Sequence, residues 1–386
     1  MWHTGVMGPA GGVGTNQYAR KTGRSRHPAV PSSLLGQART KREIERLCGD
    51  IWGTTCSVLV GPPDWTHDNE RHTLEQRTFA AQVPFQPLSL LSQLAQDPAV
   101  TVRSYIAYQP QCPNDIMQQL AADRSPKVRA AVARNPKITD DIRANLAVDS
   151  EKDVRYEVAG GLGCPPYLLA RLARDPRTEV RFGVAMNSNV PLETLELLRH
   201  DDNQNTRFNV YDRNRERVPA SWLKEASADP GEGVRWAVAS NVRCPRSLLA
   251  PLSRDAGGGV RKAVAKHPRC PPELLLVLAA DRDPDVRSAA AVRCADLGRL
   301  QELSRDTRMS VREGVAANVA CPSKALDRLS RDEFMVVRLQ VAVNPNCPPA
   351  ILERLLLHDT HDQIKYAAAR NPGLPRATLA MWELAR

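Results

Sequence analysis

Six cysteines, Cys112, Cys164, Cys244, Cys270, Cys321 and Cys347, each precede a proline. Thiolates are strong metal ligands, so their number first suggests a zinc site. Their spacing argues otherwise. Each stands nine residues after an arginine, and nine after Arg129 and Arg181 and after Lys365 stand Ile138, Val190 and Leu374. After Arg207 a two-residue insertion brings Val218 to the same place. A position that accepts Cys, Ile, Val or Leu asks for a small buried hydrophobe, which a free cysteine supplies. Sulfurs a whole repeat apart are also too distant to share one tetrahedral ion. His67 and His72, five residues apart on no clear helix, make a weak zinc pair. The expectation is a chain without metal or cofactor.

The second chemical pattern is an aspartate followed six residues later by a base, found eleven times from Asp97/Arg103 to Asp359/Lys365. General acid–base catalysis needs one perturbed site rather than eleven equivalent ones. A ladder of charge-assisted bonds that fixes the stacking of repeats is the better reading, with each aspartate capping a helix. No nucleophile–base, phosphate-loop or clustered-histidine motif accompanies it.

The third pattern is aromatic. The residue after the arginine varies through the repeats, and four successive copies place Tyr156, Phe182, Phe208 and Trp236 there, in a chain with 5 Phe, 6 Trp and 7 Tyr. At 3.6 residues per turn this position faces away from the apolar side of its helix. An outward aromatic strip is a candidate binding surface. Lys262 continues the row, and Lys266 lies one turn further along. The competing reading packs the rings into the groove between repeats. The repeat that begins at Asp201 is the least regular and adds a basic run, Arg213, Arg215 and Arg217.

These residues must be positioned by short helices. The basic positions recur at 26, 26, 26, 26, 28, 26, 26, 25, 26 and 27 residues, while the Asp-to-Arg spacing never changes. Each repeat reads as two helices. The first follows a proline and ends on a leucine three before the aspartate, as at Leu94, Leu120 and Leu278. The second begins at the aspartate or just beyond it and reads Val-Arg-x-Ala-Val-Ala, as in Val128–Ala133 and Val234–Ala239. Asn135, Asn187, Asn241, Asn318, Asn344 and Asn371 follow six residues past the arginine, where a left-handed asparagine would close the helix. Such a pair cannot enclose its own apolar face, so copies must stack.

The unit resembles the leucine-rich repeat variant family, whose pattern approximates Cys-Pro-x-x-Leu-Leu-x-x-Leu-Ala-x-Asp-x-x-x-x-Val-Arg-x-Ala-Val-Ala-x-Asn-Pro. Cys270–Arg287 and Leu120–Pro136 carry the match, and the Asp and Arg spacing is also HEAT-like. The resemblance implies an all-α, right-handed α-solenoid of about eleven two-helix repeats, alternating α with short α or 3₁₀ helices. Some members of that family carry a four-cysteine iron–sulfur module ahead of the repeats. Here only Cys48 and Cys56 lie upstream, two ligands short, so no cluster is expected.

Charge sets the remaining limits. The net +10 is concentrated in residues 1–42, which hold seven bases and no acid; the other 344 residues hold 46 bases and 43 acids. Residues 1–42 read as a disordered basic tail, 43–86 as a poorly defined linker or cap, and 87–386 as the solenoid. No secretory signal is evident, and a reducing, cytoplasmic setting is expected. The favoured function is a non-enzymatic scaffold that binds a protein or peptide on its curved repeat surface. The alternative is nucleic-acid binding through the basic arm and Arg213–Arg217. HEAT-like glycosylases and lyases form a third, weaker class.

Overall fold

The computed structural model describes residues 74–83 and 87–385. Among them every regular element is an α-helix. The chain divides into two compact units, one ending at Gly163 and one beginning at Cys164. The first holds α1 (Leu74–Gln82), α2 (Leu88–Leu94), α3 (Val100–Tyr108), α4 (Asn114–Ala121), α5 (Pro126–Arg134), α6 (Asp140–Leu146) and α7 (Lys152–Gly160).

The second unit starts with α8 (Pro166–Leu172), α9 (Thr178–Met186), α10 (Leu192–Leu198), α11 (Gln204–Arg213), α12 (Ala220–Ala226) and α13 (Glu232–Ser240). It continues with α14 (Arg246–Leu252), α15 (Gly258–Lys266), α16 (Pro272–Leu278), α17 (Pro284–Ala291), α18 (Leu297–Leu303) and α19 (Met309–Ala317). It ends with α20 (Ser323–Leu329), α21 (Met335–Val343), α22 (Pro349–His358), α23 (Asp362–Ala369) and α24 (Arg376–Leu384). The eleven aspartate–base pairs therefore fall on eleven helix pairs, α2/α3 to α22/α23. No described helix is long and apolar enough to cross a membrane.

Each element has a local cause. A proline at the N-cap, such as Pro165 (φ −62°, ψ 148°), holds the chain extended and releases it into a seven-residue first helix. Two adjacent residues of that helix and one three further on are buried: Leu168, Leu169 and Leu172 on α8, Trp222, Leu223 and Ala226 on α12. The second helix buries the valine before its arginine and the Val-Ala pair beyond it, as at Val234, Val238 and Ala239. Within each unit the second helices pack directly on one another, and the first helices pack on their own partner and, in several repeats, equally on the preceding repeat. The apolar face of every pair is thus closed by its neighbours, as a repeat protein requires.

Two local expectations need correction. The aspartate is not the N-cap of the second helix. The N-cap lies two residues later in an extended conformation, as at Ser125 and Gly231, and the aspartate accepts its backbone N–H: Ser125 N–Asp123 Oδ1 2.8 Å, Gly231 N–Asp229 Oδ1 2.7 Å. This local turn shapes the corner between the helices and leaves the second carboxylate oxygen free to face a neighbour. The closing asparagines are not left-handed. Asn135 sits at φ −70°, ψ 121° and Asn344 at φ −65°, ψ 121°. What they supply is the side-chain amide. Asn135 Nδ2 donates to the carbonyls of Ala107 (2.9 Å) and Gln109 (3.0 Å), and its Oδ1 accepts from Lys137 N (3.0 Å). Asn344 does the same with Ala316 and Asn318.

The first unit ends where this asparagine is missing. Gly161 occupies its position, so no side-chain amide reaches back to the preceding repeat. Arg143 covers the turn instead, donating to the carbonyls of Pro136 (3.0 Å), Ile138 (3.3 Å) and Gly163 (3.2 Å). Its guanidinium lies so close that a Cβ on Gly163 would meet Nη2 at 2.7 Å. The space is reserved by the glycine.

Candidate interaction surface

The charge ladder runs between repeats. Arg103 donates to Asp123 through Nε (2.6 Å) and Nη2 (2.9 Å), while its Nη1 reaches the carbonyl of Asp97 (2.6 Å) in its own repeat. The same fork recurs from Arg207 to Asp229, Arg235 to Asp255, Arg261 to Asp281 and Arg312 to Asp332. Each guanidinium therefore ties its own helix corner to the corner of the next repeat. At Asp255 the bonded Arg235 guanidinium, working against burial, holds the carboxyl below its ordinary range. At Asp123, Asp149, Asp281, Asp306 and Asp359 burial pulls upward, but the arginine and the backbone N–H two residues on bring the net shift down. These carboxylates are fully engaged as structural acceptors.

The ladder also extends to a residue that the sequence pattern left unassigned. Arg77 on α1 lies one 26-residue step before Arg103 and pairs with Asp97 at 2.7 Å. The repeat-length signal was present, but position 71 is an arginine rather than the aspartate that marks the other repeats. α1 falls within the stretch read as linker or cap.

Burial decides the cysteines. Cys164, Cys244, Cys270, Cys294, Cys321 and Cys347 are buried and Cys112 is partly so. Burial pushes the thiols of Cys112 and Cys244 up to about 11 and those of Cys321 and Cys347 to about 12. They are protonated at neutral pH and behave as core atoms. Cys48, Cys56, His67, His72 and the basic tail lie outside the described residues.

The aromatic row is neither fully outward nor fully core. Tyr156, in the first unit, is half-buried. In the second unit Phe182 and Phe208 are half-buried and Trp236 is 36% exposed. Phe208 and Trp236 meet with ring centroids 6.2 Å apart, tilted by 34°. Phe208 and Trp236 lean toward the next second helix, over Gly233 and Gly259. A Cβ on Gly233 would touch Phe208 at 3.5 Å, and one on Gly259 would lie 3.8 Å from Trp236. Both are ordinary contact distances, and Phe182 is likewise half-buried with Asn205 at the matching place before Arg207, so the glycines do not set how far the row lies down. Lys262 is held by Asp285 at 2.7 Å, and Lys266 is exposed.

The basic run of the irregular repeat divides. Arg213 is exposed, with Asp212 at 3.9 Å. Arg215 is bound to the Asp212 carboxylate and carbonyl. Arg217 donates to the carbonyls of Ser188 (3.2 Å) and Val190 (2.6 Å) in the preceding repeat. The three arginines therefore do not converge as a single cradle.

One stretch compares directly with a known family. Residues 258–283, which run from α15 across α16 to two residues past the ladder aspartate Asp281, match the model of the leucine rich repeat variant. That stretch is one full repeat period, and it is similar to a leucine-rich repeat variant unit. A solved leucine-rich repeat variant with a novel repetitive structural motif is 29% identical, covering 57% of this chain and 87% of that one, with a TM-score of 0.46. Importin beta in an ammonium sulfate condition is 11% identical over 89% of this chain and 48% of its own, with a TM-score of 0.35. The Kap95:Nup1 complex aligns at 12% identity over 92% of this chain and 56% of that one, with a TM-score of 0.37. This chain thus spans about half the length of the latter two. No curated protein matches the chain.

Proposed function

We propose that the protein is a non-enzymatic scaffold whose second-helix face, in the unit beginning at Cys164, binds a protein or peptide segment. The observation that carries this reading is the Phe208–Trp236 pair. Two large rings from consecutive repeats meet, keep part of their surface open, and lie against the following second helices near Gly233 and Gly259. Large aromatics with one buried and one open face are the side chains that most often anchor binding energy. The reading involves no chemical step and needs no metal or cofactor, since the described cysteines serve the core.

The test is selection of binders from a random peptide library on the full chain, followed by measurement of the winners against Phe208→Ser/Trp236→Ser. Enriched peptides should lose at least about tenfold in affinity for the variant while its circular dichroism melt stays cooperative. Peptides that bind both proteins equally would place the interface elsewhere. A variant that no longer folds would assign the rings to packing.

A further inference from the structure

A second row of arginines runs along the edge where each second helix turns into the next first helix. Arg217, Arg243, Arg269 and Arg293 come from four consecutive repeats, and all four are exposed. The guanidiniums of Arg243, Arg269 and Arg293 each lie over the turn from which the preceding arginine springs, and that of Arg217 lies over the turn at Asn189. Arg243 donates to the Glu216 carbonyl, Arg269 to those of Val242 and Cys244 (2.8 Å each), and Arg293 to those of His267 (2.6 Å) and Pro268 (2.9 Å). None of the four forms an ion pair with a carboxylate among the described residues, unlike the arginines of the buried ladder.

The fold does not require that charge. In a later repeat Asn346 occupies the matching position and donates its neutral amide to the Val319 carbonyl at 2.7 Å. Ala320 and Gly373 stand there with no side-chain donor at all. A positive charge in four successive copies is therefore surplus to structure, and it coincides with the repeats that carry Phe208 and Trp236. Its field is felt inward: beyond the effect of burial, Arg269 and Arg293 both press the buried His267 toward its neutral form.

Spacing selects the partner. Stacked helices stand roughly 8–10 Å apart. A polyproline-II segment advances about 9 Å in three residues and returns to the same side at each turn. An acidic side chain at every third residue would meet one guanidinium per repeat. Nucleic acid is the less suited polyanion, because residues 43–386 balance 46 bases against 43 acids and exposed Glu232 and Asp285 lie at the opposite ends of these second helices.

We infer that the arginine edge Arg217–Arg243–Arg269–Arg293 is a track for an extended acidic peptide with carboxylates spaced three residues apart. This rests on the scaffold reading and names its partner class. Guanidiniums already fixed on backbone carbonyls are pre-organised, so each contact loses little side-chain freedom on binding.

The probe is a fluorescein-labelled peptide with four glutamates, one at every third position among prolines and alanines. Its control has the same composition with the glutamates consecutive. Anisotropy on the full chain should show the spaced peptide binding at least about tenfold tighter, with affinity falling as salt rises. Arg243→Asn/Arg269→Asn, which imitates Asn346, should keep the melting temperature and weaken the spaced peptide about tenfold. Equal affinity for both peptides, no binding of either, or tighter binding of a charge-matched oligothymidine would overturn the inference, and each is read on the unaltered protein. Library peptides that depend on Phe208 and Trp236 but lack spaced acids would leave the scaffold standing and remove only the acidic track.

Discussion

Thr206 stands where nine of the other ten repeats have valine and one has Ile364, immediately before the ladder base. Its side chain is completely buried and its hydroxyl finds no hydrogen-bond partner. A buried hydroxyl left unpaired costs on the order of 1–3 kcal/mol, and valine has nearly the same shape without that cost. Thr206→Val should therefore stabilise the unit by about 1 kcal/mol, a rise of roughly 2–4 °C in melting temperature for a body of this size. A calorimetric scan that shows no gain would mean the hydroxyl is satisfied by water. His267 shows the opposite accommodation. It replaces the closing asparagine, donates from Nε2 to the Asn241 carbonyl (3.0 Å) and accepts the Arg269 N–H at Nδ1 (3.1 Å), which fixes the neutral ring.

Helices of seven to nine residues have little stability alone, so what ties one to the next decides whether it persists. α1 is the clearest case. Asp97 is 1% exposed and Arg77 is its ion-pair partner, so Arg77→Ala leaves a buried carboxylate without its counter-charge. Breaking such a pair from one side costs about 3–5 kcal/mol. Hydrogen exchange should show α1 and the α2–α3 corner losing protection, while the unit beginning at Cys164 is unaffected; unchanged protection of α1 would show that its apolar contacts suffice. The existence and order of the helix pairs were legible because valine, leucine and proline recur with a fixed period. The direction of the bonds was not. Asp and Arg lie six apart in sequence, yet Arg103 bonds to Asp123 and reaches only the carbonyl of Asp97, because the helix corner turns the nearer carboxylate toward its own backbone and toward the previous arginine. The aromatic row was visible by type. How far it lies down is set by packing against the following repeat, as Phe208 meets Trp236, which a single-helix projection does not contain.

At the scale of the whole chain the ladders set the response to acid. The six aspartates held below their ordinary range bind fewer protons folded than unfolded, so their contribution is complete above about pH 4 and is lost as pH falls below it. His267, also depressed in the fold, adds an earlier step: the unfolded chain takes up its proton first, so stability begins to decline below about pH 6.5. Melting temperature plotted against pH should show a shallow loss and then a steep one, and His267→Asn should erase the shallow part alone. A single steep fall near neutrality would contradict both assignments.

Every length change in the array lies outside the six-residue interval between aspartate and arginine. Because each ladder guanidinium reaches forward and each closing asparagine amide reaches back, neighbouring repeats are bonded through equivalent positions. Duplication or loss of one full period in the gene would restore every such bond at the junction, whereas a single codon gained inside that interval would misalign two of them. Copy number can drift under this rule while the phase of the array stays fixed, and a reading surface along the edge can grow or shrink by whole steps.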